Sequence, residues 1–157
     1  MQDPGQRRLA QMVQQNADRL ARIAEEVLDI ARVQHQINHA PGATLALDAS
    51  VAQVWSDWTS QDPARRRGQV SLETSMVQVE FDPEHLRRVL VNLLDNALRY
   101  MGPEEDSLVV QTRTSPAGQT TLQVWSDGAP MDKSVERHLF EPFFSSESRS
   151  SGLGLYI

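Results

Sequence analysis

The stretch that decides the fold is HLRRVLVNLLDNALRY, residues 85–100, directly preceded by Asp82, Pro83 and Glu84. Asp82 is typical of an N-cap, Pro83 of a first helical position, and an acidic residue of a first helical turn. Behind this start, apolar side chains recur at helical spacing, so the pattern predicts a helix with one broad buried stripe. The stripe comprises Leu86, Val89, Leu90, Leu93, Leu94, Ala97 and Leu98.

Three polar side chains interrupt this helix. Asn92 and Asn96 are four residues apart and Arg99 follows three residues later, so all three lie along one helical edge. Asparagine is a mediocre helix former, and its amide costs free energy when it is buried without a partner. The edge therefore needs something polar to face, and spacing alone leaves open whether this is a ligand, solvent or a neighbouring loop.

The pattern N-x-x-x-N-A-x-[KR]-Y resembles the N box of the ATPase domain of sensor histidine kinases, a branch of the Bergerat-fold ATPases. The resemblance implies that Asn96 holds the Mg²⁺ that bridges the nucleotide phosphates, and that Asn92 supports the metal and phosphates. It also implies that Arg99 contacts the phosphates and that Tyr100 lines the nucleotide site. Magnesium takes few protein oxygens and keeps its waters and phosphates. An amide oxygen therefore suits this position, because it adds no negative charge beside a triphosphate.

Composition excludes several other classes of protein. The chain has 157 residues, a net charge of −6 and no cysteine, which argues against broad nucleic-acid binding, a disulfide framework and a cysteine-ligated zinc site. No apolar run approaches the roughly 20 residues of a transmembrane helix, and the start does not read as a signal peptide. We expect a cytoplasmic chain. The resemblance implies a membrane-anchored parent protein whose anchor lies outside this sequence.

The N-terminal segment, residues 1–37, predicts one long helix of the coiled-coil type. Its apolar positions step by four and three alternately, with one polar member, and a lone helix cannot bury such a seam. The seam comprises Leu9, Val13, Asn16, Leu20, Ile23, Val27 and Ile30. The resemblance implies the second helix of the dimerisation and phosphoacceptor hairpin, with the first helix absent, and a homodimer formed through this segment. A helix packed on its own domain is the alternative.

Residues 38–43 contain Pro-Gly and indicate a linker, and residues 44–157 mix strand and helix patterns. This mixture predicts an α+β fold, an α/β sandwich with a mixed sheet of about five strands and helices on one face. Within it we expect Asp48 to cap a helix over 49–60. We also expect the alternating segments 69–74 and 77–81 to form a hairpin. The resemblance identifies the whole region as a Bergerat-fold ATP-binding domain that stops short at its C-terminus.

The segment SDGAPM, residues 126–131, resembles the family's first glycine box, whose Asp accepts a hydrogen bond from the adenine amino group. Alignment on Gly128 places Ser126 where the family has this Asp, whereas alignment on acid chemistry places Asp127 there. Counting back from Phe140 favours Ser126. A hydroxyl binds an amino group more weakly than a carboxylate, and the loss of about 1.5–3 kcal/mol corresponds to roughly tenfold to hundredfold in affinity.

The last segments resemble the family's F box, lid and second glycine box. LFEPFF, residues 139–144, predicts an apolar plug, and residues 145–151 have no apolar side chain, which predicts a mobile lid. The segment that follows resembles the second glycine box, whose glycines let backbone N–H groups approach phosphate at a helix N-terminus. Its predicted ligand-contacting residues are Ser151, Gly152, Leu153 and Gly154.

These patterns together predict the ATP-binding catalytic region of a two-component sensor histidine kinase, with ATP and Mg²⁺ as cofactors. The γ-phosphoryl group would pass to a histidine absent from this chain and then to an aspartate in a response-regulator receiver domain. This chain alone is therefore not expected to autophosphorylate. The wording of residues 139–157 most resembles sensor kinases that regulate type IV pilus genes. A nucleotide-free dimerisation and signalling module is the alternative, because the adenine-binding motif is degraded.

Overall fold

The computed structural model describes residues 4–39 and 43–141. They fall into two compact units, which we treat separately. Residues 43–136 form the first, called here the sandwich unit, and residues 4–39 with 137–141 belong to the second. The predicted lid and second glycine box, residues 145–154, lie outside the described residues.

The second unit contains one long helix, α1, which runs from Pro4 to His39 and confirms the predicted N-terminal helix. Its predicted apolar seam faces outward: Leu9, Val13 and Leu20 are each more than 60% exposed. Within the described ranges, no helix is both long enough and apolar enough to cross a membrane. The seam is therefore an apolar surface that the described residues of its own unit leave largely uncovered.

The sandwich unit contains five strands in two hydrogen-bonded sheets. The bounds are β1 Thr44–Ala46, β2 Gly68–Leu72, β3 Gln78–Glu80, β4 Leu108–Thr114 and β5 Thr120–Ser126. β1 and β3 pair antiparallel. The other sheet has the order β2-β4-β5, in which β2 is parallel to β4 and β5 is antiparallel to it. The number of strands and the presence of a mixed sheet agree with the prediction, but the strands form two sheets where one sheet of about five strands was predicted.

The predicted hairpin between residues 69–74 and 77–81 is wrong. β2 pairs with β4, and β3 pairs with β1, so these consecutive strands belong to different sheets. Between them, the Val77 N–H donates to the Thr74 carbonyl oxygen at 2.8 Å, which makes a turn, and the Val77 carbonyl accepts from Leu47 N. An alternating pattern identifies a strand and its buried face, but the partner of the strand depends on distant residues.

Helices α2 and α3 cover one face of the three-stranded sheet. The helical segments of the described residues 43–141 are α2 Leu47–Ser60, a 3₁₀ turn Pro63–Arg67, α3 Pro83–Tyr100 and the short α4 Lys133–Arg137. α2 packs on α3 and β2, α3 packs on β5, and Leu108 and Val110 of the central strand β4 are fully buried in the same core. This layering confirms the α/β sandwich. The buried apolar core consists of Leu45, Leu47, Val51, Val54, Trp58, Leu86, Leu90, Leu94, Leu108 and Val110.

The predicted capping role of Asp48 is also wrong. α2 begins at Leu47, two residues before the predicted start, with Ala46 at the N-cap position and no side-chain cap. The Asp48 carboxylate instead accepts hydrogen bonds from the hydroxyls of Thr74 and Thr112 and, at 2.8 Å, from the Thr74 N–H. Burial raises the pKa of Asp48, but these three bonds outweigh it and hold the pKa below its ordinary value. Asp48 thus joins α2 to β4 and to the turn that follows β2, both of which are remote in sequence.

Candidate functional site

The helix that carries the asparagines, α3, starts as the sequence predicts. The Asp82 carboxylate accepts a hydrogen bond from the His85 N–H at 2.7 Å, and Pro83 occupies the first turn. Beyond the last helical residue, the Met101 N–H donates to the Ala97 carbonyl at 2.8 Å. Both ends of α3 are therefore fixed by local hydrogen bonds, which set the position of every side chain between them.

The polar edge of α3 lies opposite its buried stripe. Leu90 and Leu94 are fully buried, and each is followed two residues later by an asparagine, Asn92 or Asn96. A step of two residues turns a helix by about 200°, so both amides point away from the core. Both asparagines are half-buried and Arg99 is exposed. Within residues 4–39 and 43–141, the Asn96 amide makes no hydrogen bond, so its oxygen remains available to a ligand.

Two polar anchors from α2 and the 3₁₀ turn set the rotation of α3. The indole N–H of Trp58, which is 1% exposed, donates to the Asp95 carboxylate at 2.7 Å. Arg65 stacks over the Trp58 ring at 4.9 Å and approaches the same carboxylate at 3.5 Å. Asp95 directly precedes Asn96, so these contacts hold the flank of the polar edge against α2. Arg87 adds a 2.8 Å ion pair to Asp57 of α2.

The first predicted glycine segment begins at the end of β5. Ser126 pairs with Leu108 across the sheet, and Leu108 is buried beneath the helices. Directly opposed residues share a face, so the Ser126 side chain lies on the helix-covered side of the sheet. This is the side on which α3 packs, which agrees with the alignment that gives Ser126 the base-reading position.

The next two residues contact the C-terminal end of α3. The Asp127 carboxylate accepts from the Gly102 N–H at 2.8 Å and from the Ser107 hydroxyl at 2.9 Å. A Cβ placed on Gly128 would lie 2.6 Å from the carbonyl oxygen of Tyr100, a distance that only glycine permits. The structure therefore brings together two residues predicted separately for the site, Gly128 and Tyr100.

The residues predicted to close the site on its far side, 145–154, lie outside the described residues, together with Phe143 and Phe144. Of the predicted F box, Phe140 is described and its side chain is 68% exposed. The described residues therefore supply one side of the candidate site, formed by the polar edge of α3 and the end of β5. The roles of Ser151, Gly152, Leu153 and Gly154 stay predictions.

The oxygen atoms of the polar edge suit a magnesium ion that is bound to phosphate better than a metal ion held entirely by protein side chains. In the described part of the chain there is no group of three or more His, Cys, Asp or Glu residues that could hold a metal ion. The edge offers amide oxygens from Asn92 and Asn96 instead. Such a site fits an ion that keeps most of its waters and its phosphate oxygens.

The anchors of α3 are features that sequence reasoning missed. Asp95 lies inside the N-box pattern. An acidic residue between two predicted ligands is the sequence feature that could have indicated its role in fixing α3. Nothing in the spacing of Trp58 along the sequence indicates its bond to Asp95. Asp48, Thr74 and Thr112 are far apart in sequence and share no pattern that would group them.

Comparison with known proteins identifies the family. Residues 81–157 match the family described as histidine kinase-, DNA gyrase B-, and HSP90-like ATPase. The chain is 30% identical to the sensor protein kinase PilS of Pseudomonas aeruginosa, over 99% of this chain and 29% of that protein. It therefore spans less than a third of the length of this relative.

Solved structures of histidine kinases share the fold. The histidine kinase AdeS of Acinetobacter baumannii superposes with a TM-score of 0.65 at 22% identity, over 99% of this chain and 71% of that one. The histidine kinase ThkA, in its complex with the response regulator protein TrrA, gives 0.68 at 19% identity, over 93% of this chain and 42% of that one. Residues 81–157 thus match the histidine kinase-, DNA gyrase B- and HSP90-like ATPase family, and PilS, which is similar along nearly the whole chain, is a sensor protein kinase.

Proposed function

We propose that this chain is the ATP-binding catalytic region of a two-component sensor histidine kinase. The observation that carries the proposal is the polar edge of α3, where Asn92, Asn96 and Arg99 point away from the buried stripe and the Asn96 amide has no hydrogen bond among the described residues. The family match covers this helix and everything after it. Magnesium–ATP would lie along this edge, with its base towards the end of β5.

Each residue of the edge has a distinct role in this proposal. The amide oxygen of Asn96 would bind Mg²⁺, and Asn92 would support the metal and the phosphates. Arg99, exposed at the last turn, would neutralise phosphate charge, while Tyr100 and Ser126 would line the base. Bound Mg²⁺ supplies neutralisation of the charge on the phosphates. The backbone of residues 151–154 would hold the phosphates. The chain itself contributes position and charge, which are the main requirements of phosphoryl transfer.

The partners follow from the same proposal. The phosphoryl group would pass to a histidine outside this chain and then to an aspartate of a response-regulator receiver domain, as the ThkA complex with a response regulator suggests by analogy. The exposed seam of α1 supports a homodimer through this helix, because a dimer would bury it. The match to PilS supports the narrower resemblance to a pilus-gene sensor kinase.

Calorimetric titration with a non-hydrolysable ATP analogue tests the proposal. With Mg²⁺ present, the chain should bind the analogue with a dissociation constant in the micromolar range, and Asn96→Ala should weaken binding by about tenfold or more because a metal ligand is lost. Omitting Mg²⁺ should weaken the wild type and leave the variant almost unchanged.

Gln111→Ala is the matched control. Gln111 is also a carboxamide of the sandwich unit, but it is paired with Gln123 at 2.6 Å on the sheet face away from the helices. Its loss should not change nucleotide affinity. Absence of binding at millimolar ligand would favour the nucleotide-free signalling module instead. Equal loss in both variants would show that Asn96 has no specific role.

A further inference from the structure

Both oxygens of the Asp127 carboxylate accept hydrogen bonds from the protein. One oxygen accepts from the Gly102 N–H at 2.8 Å and the other from the Ser107 hydroxyl at 2.9 Å. Ser107 is buried, and its hydroxyl also lies 2.6 Å from the Glu104 carbonyl, so its one proton is shared between two acceptors. The backbone joins in, because the Asp127 N–H donates to the Ser107 carbonyl at 3.0 Å. Asp127 thus holds both ends of the loop 102–107.

The same loop is held from a second direction. The Arg67 guanidinium donates to the Pro103 carbonyl at 3.2 Å, and the Arg67 carbonyl accepts from the Asp106 N–H at 3.1 Å. Arg67 also lowers the pKa of Asp127, after the larger effects of the hydrogen bonds from Gly102 and Ser107. The loop begins two residues after Tyr100, so its position determines where the last turn of α3 ends.

The close packing of Gly128 completes this connection. Its α-carbon lies so near the end of α3 that a Cβ would come within 2.6 Å of the Tyr100 carbonyl oxygen. The two consecutive residues Asp127 and Gly128 therefore join the first glycine segment to the helix end that carries Arg99 and Tyr100. A displacement of either part would move the other.

We propose that Asp127 is a positioning residue that joins the first glycine segment to the end of α3, and that it does not read the nucleotide base. The proposal rests on the proposed function, and it deepens the description of the same site. Both oxygens of this carboxylate already bind the loop 102–107, so turning the carboxylate towards a base would break these bonds and release the loop. Ser126, on the helix-covered face, remains the residue that contacts the base.

Two ligands separate positioning from base reading. The 157-residue chain is titrated with a non-hydrolysable ATP analogue and with tripolyphosphate, both with Mg²⁺. Asp127→Ala should weaken both ligands by about tenfold, because the end of α3 at Arg99 contacts phosphate in either case. Asp127→Asn should keep both affinities within about threefold, since its amide can accept from Gly102 N and donate to the Ser107 hydroxyl.

Glu73→Ala is the control, because Glu73 is another exposed carboxylate of the same unit and its ion pair is with Arg113 of β4. It should leave both affinities unchanged. Loss of the ATP analogue alone in either Asp127 variant, with tripolyphosphate unaffected, overturns the proposal in favour of base reading. Unchanged binding of both ligands by Asp127→Ala also overturns it. A wild-type chain that binds neither ligand overturns the proposed function itself. If Asp127→Ala does not fold, the test depends on Asp127→Asn alone. Retention of both affinities in that variant supports the positioning role.

Discussion

α1 and α3 have the same kind of sequence pattern, but the apolar stripe is exposed in α1 and buried in α3. Each is an amphipathic helix with one apolar stripe, and each also contains asparagine. In α3 the stripe is the centre of the core, and Leu90 has no exposed surface. In α1 the stripe faces outward, and Leu20 is 67% exposed. The periodicity is equally clear in both, so it identifies a face that needs a partner without identifying the partner.

The difference also concerns the asparagines. Asn16 lies within the apolar seam of α1, where a polar residue in a coiled coil selects register at a cost in stability. Asn92 and Asn96 lie opposite the buried stripe of α3, on an edge that needs a polar ligand. The same residue type therefore has two meanings, and its position relative to the apolar stripe decides between them.

The largest effect should come from emptying the core beneath α3. Leu90→Ala should lower the free energy of unfolding by about 2–5 kcal/mol, because it removes a fully buried side chain and leaves a cavity. Urea denaturation followed by tryptophan fluorescence measures the change, since Trp58 belongs to the same core.

Leu20→Ala makes the same chemical change in α1 and is the matched control. The unfolding free energy of the sandwich unit should stay within about 0.5 kcal/mol, because the side chain is exposed. Its effect should appear instead as weaker self-association in analytical ultracentrifugation. If Leu20→Ala destabilised the protein as much as Leu90→Ala, the contrast between the two helices would be wrong.

A smaller effect is expected at the C-terminal end of α3. Gly128→Ala should destabilise the sandwich unit by about 1–3 kcal/mol, because the new Cβ would overlap the Tyr100 carbonyl oxygen and force backbone to move. It should also weaken nucleotide binding, since that backbone carries Arg99.

Gly118→Ala separates this overlap from the general cost of replacing glycine. Gly118 has a φ of +81° and nothing within 4 Å of its would-be Cβ, so the change strains the turn by about 1 kcal/mol without touching α3. In thermal melts both variants should be less stable than the wild type. In nucleotide titrations only Gly128→Ala should bind more weakly. Equal nucleotide affinity in the two variants would contradict the link between the glycine segment and α3.

A stability effect of similar size, and one that depends on pH, should come from Asp48. Asp48→Ala should cost about 1–3 kcal/mol near neutral pH, because the buried hydroxyls of Thr74 and Thr112 lose their acceptor. The folded pKa of Asp48 lies below its ordinary value. Its stabilisation is therefore complete above the unfolded pKa of about 3.9 and is lost as the pH falls through the folded pKa.

Thermal melts of wild type and Asp48→Ala between pH 7 and pH 3 measure this dependence. The gap between their melting temperatures should be constant down to about pH 5 and should narrow below about pH 4. A gap that widened on acidification would mean that the carboxylate destabilises the fold.

Much of the fold could be predicted because its signals are local. The Asp82 cap, the Pro83 start and the apolar stripe of α3 all follow from spacing within 20 residues, and the structure confirms them. The pairing of β2 with β4 joins residues 40 apart and could not be read from either strand. The hairpin prediction was wrong because proximity in sequence was taken for pairing.

The candidate site divides in the same way. The row of Asn92, Asn96 and Arg99 is visible in the sequence because all three share one helix. Asp127 could be read from the sequence as a ligand or as a neighbour of one, since both alignments were open. Its bonds to Gly102 and Ser107 depend on how the ends of α3 and β5 meet, and only the folded chain defines that.

The sequence by itself determined the elements: which segments are helices, which residues form the polar edge, and which family the motifs resemble. The tertiary structure decided the partners: β4 for β2, Asp95 for Trp58, and the loop after α3 for Asp127. The physical reason is one of range. Helical periodicity and caps are satisfied within a few residues, whereas buried polar groups and strand edges are satisfied by whichever distant groups the packed core brings into reach.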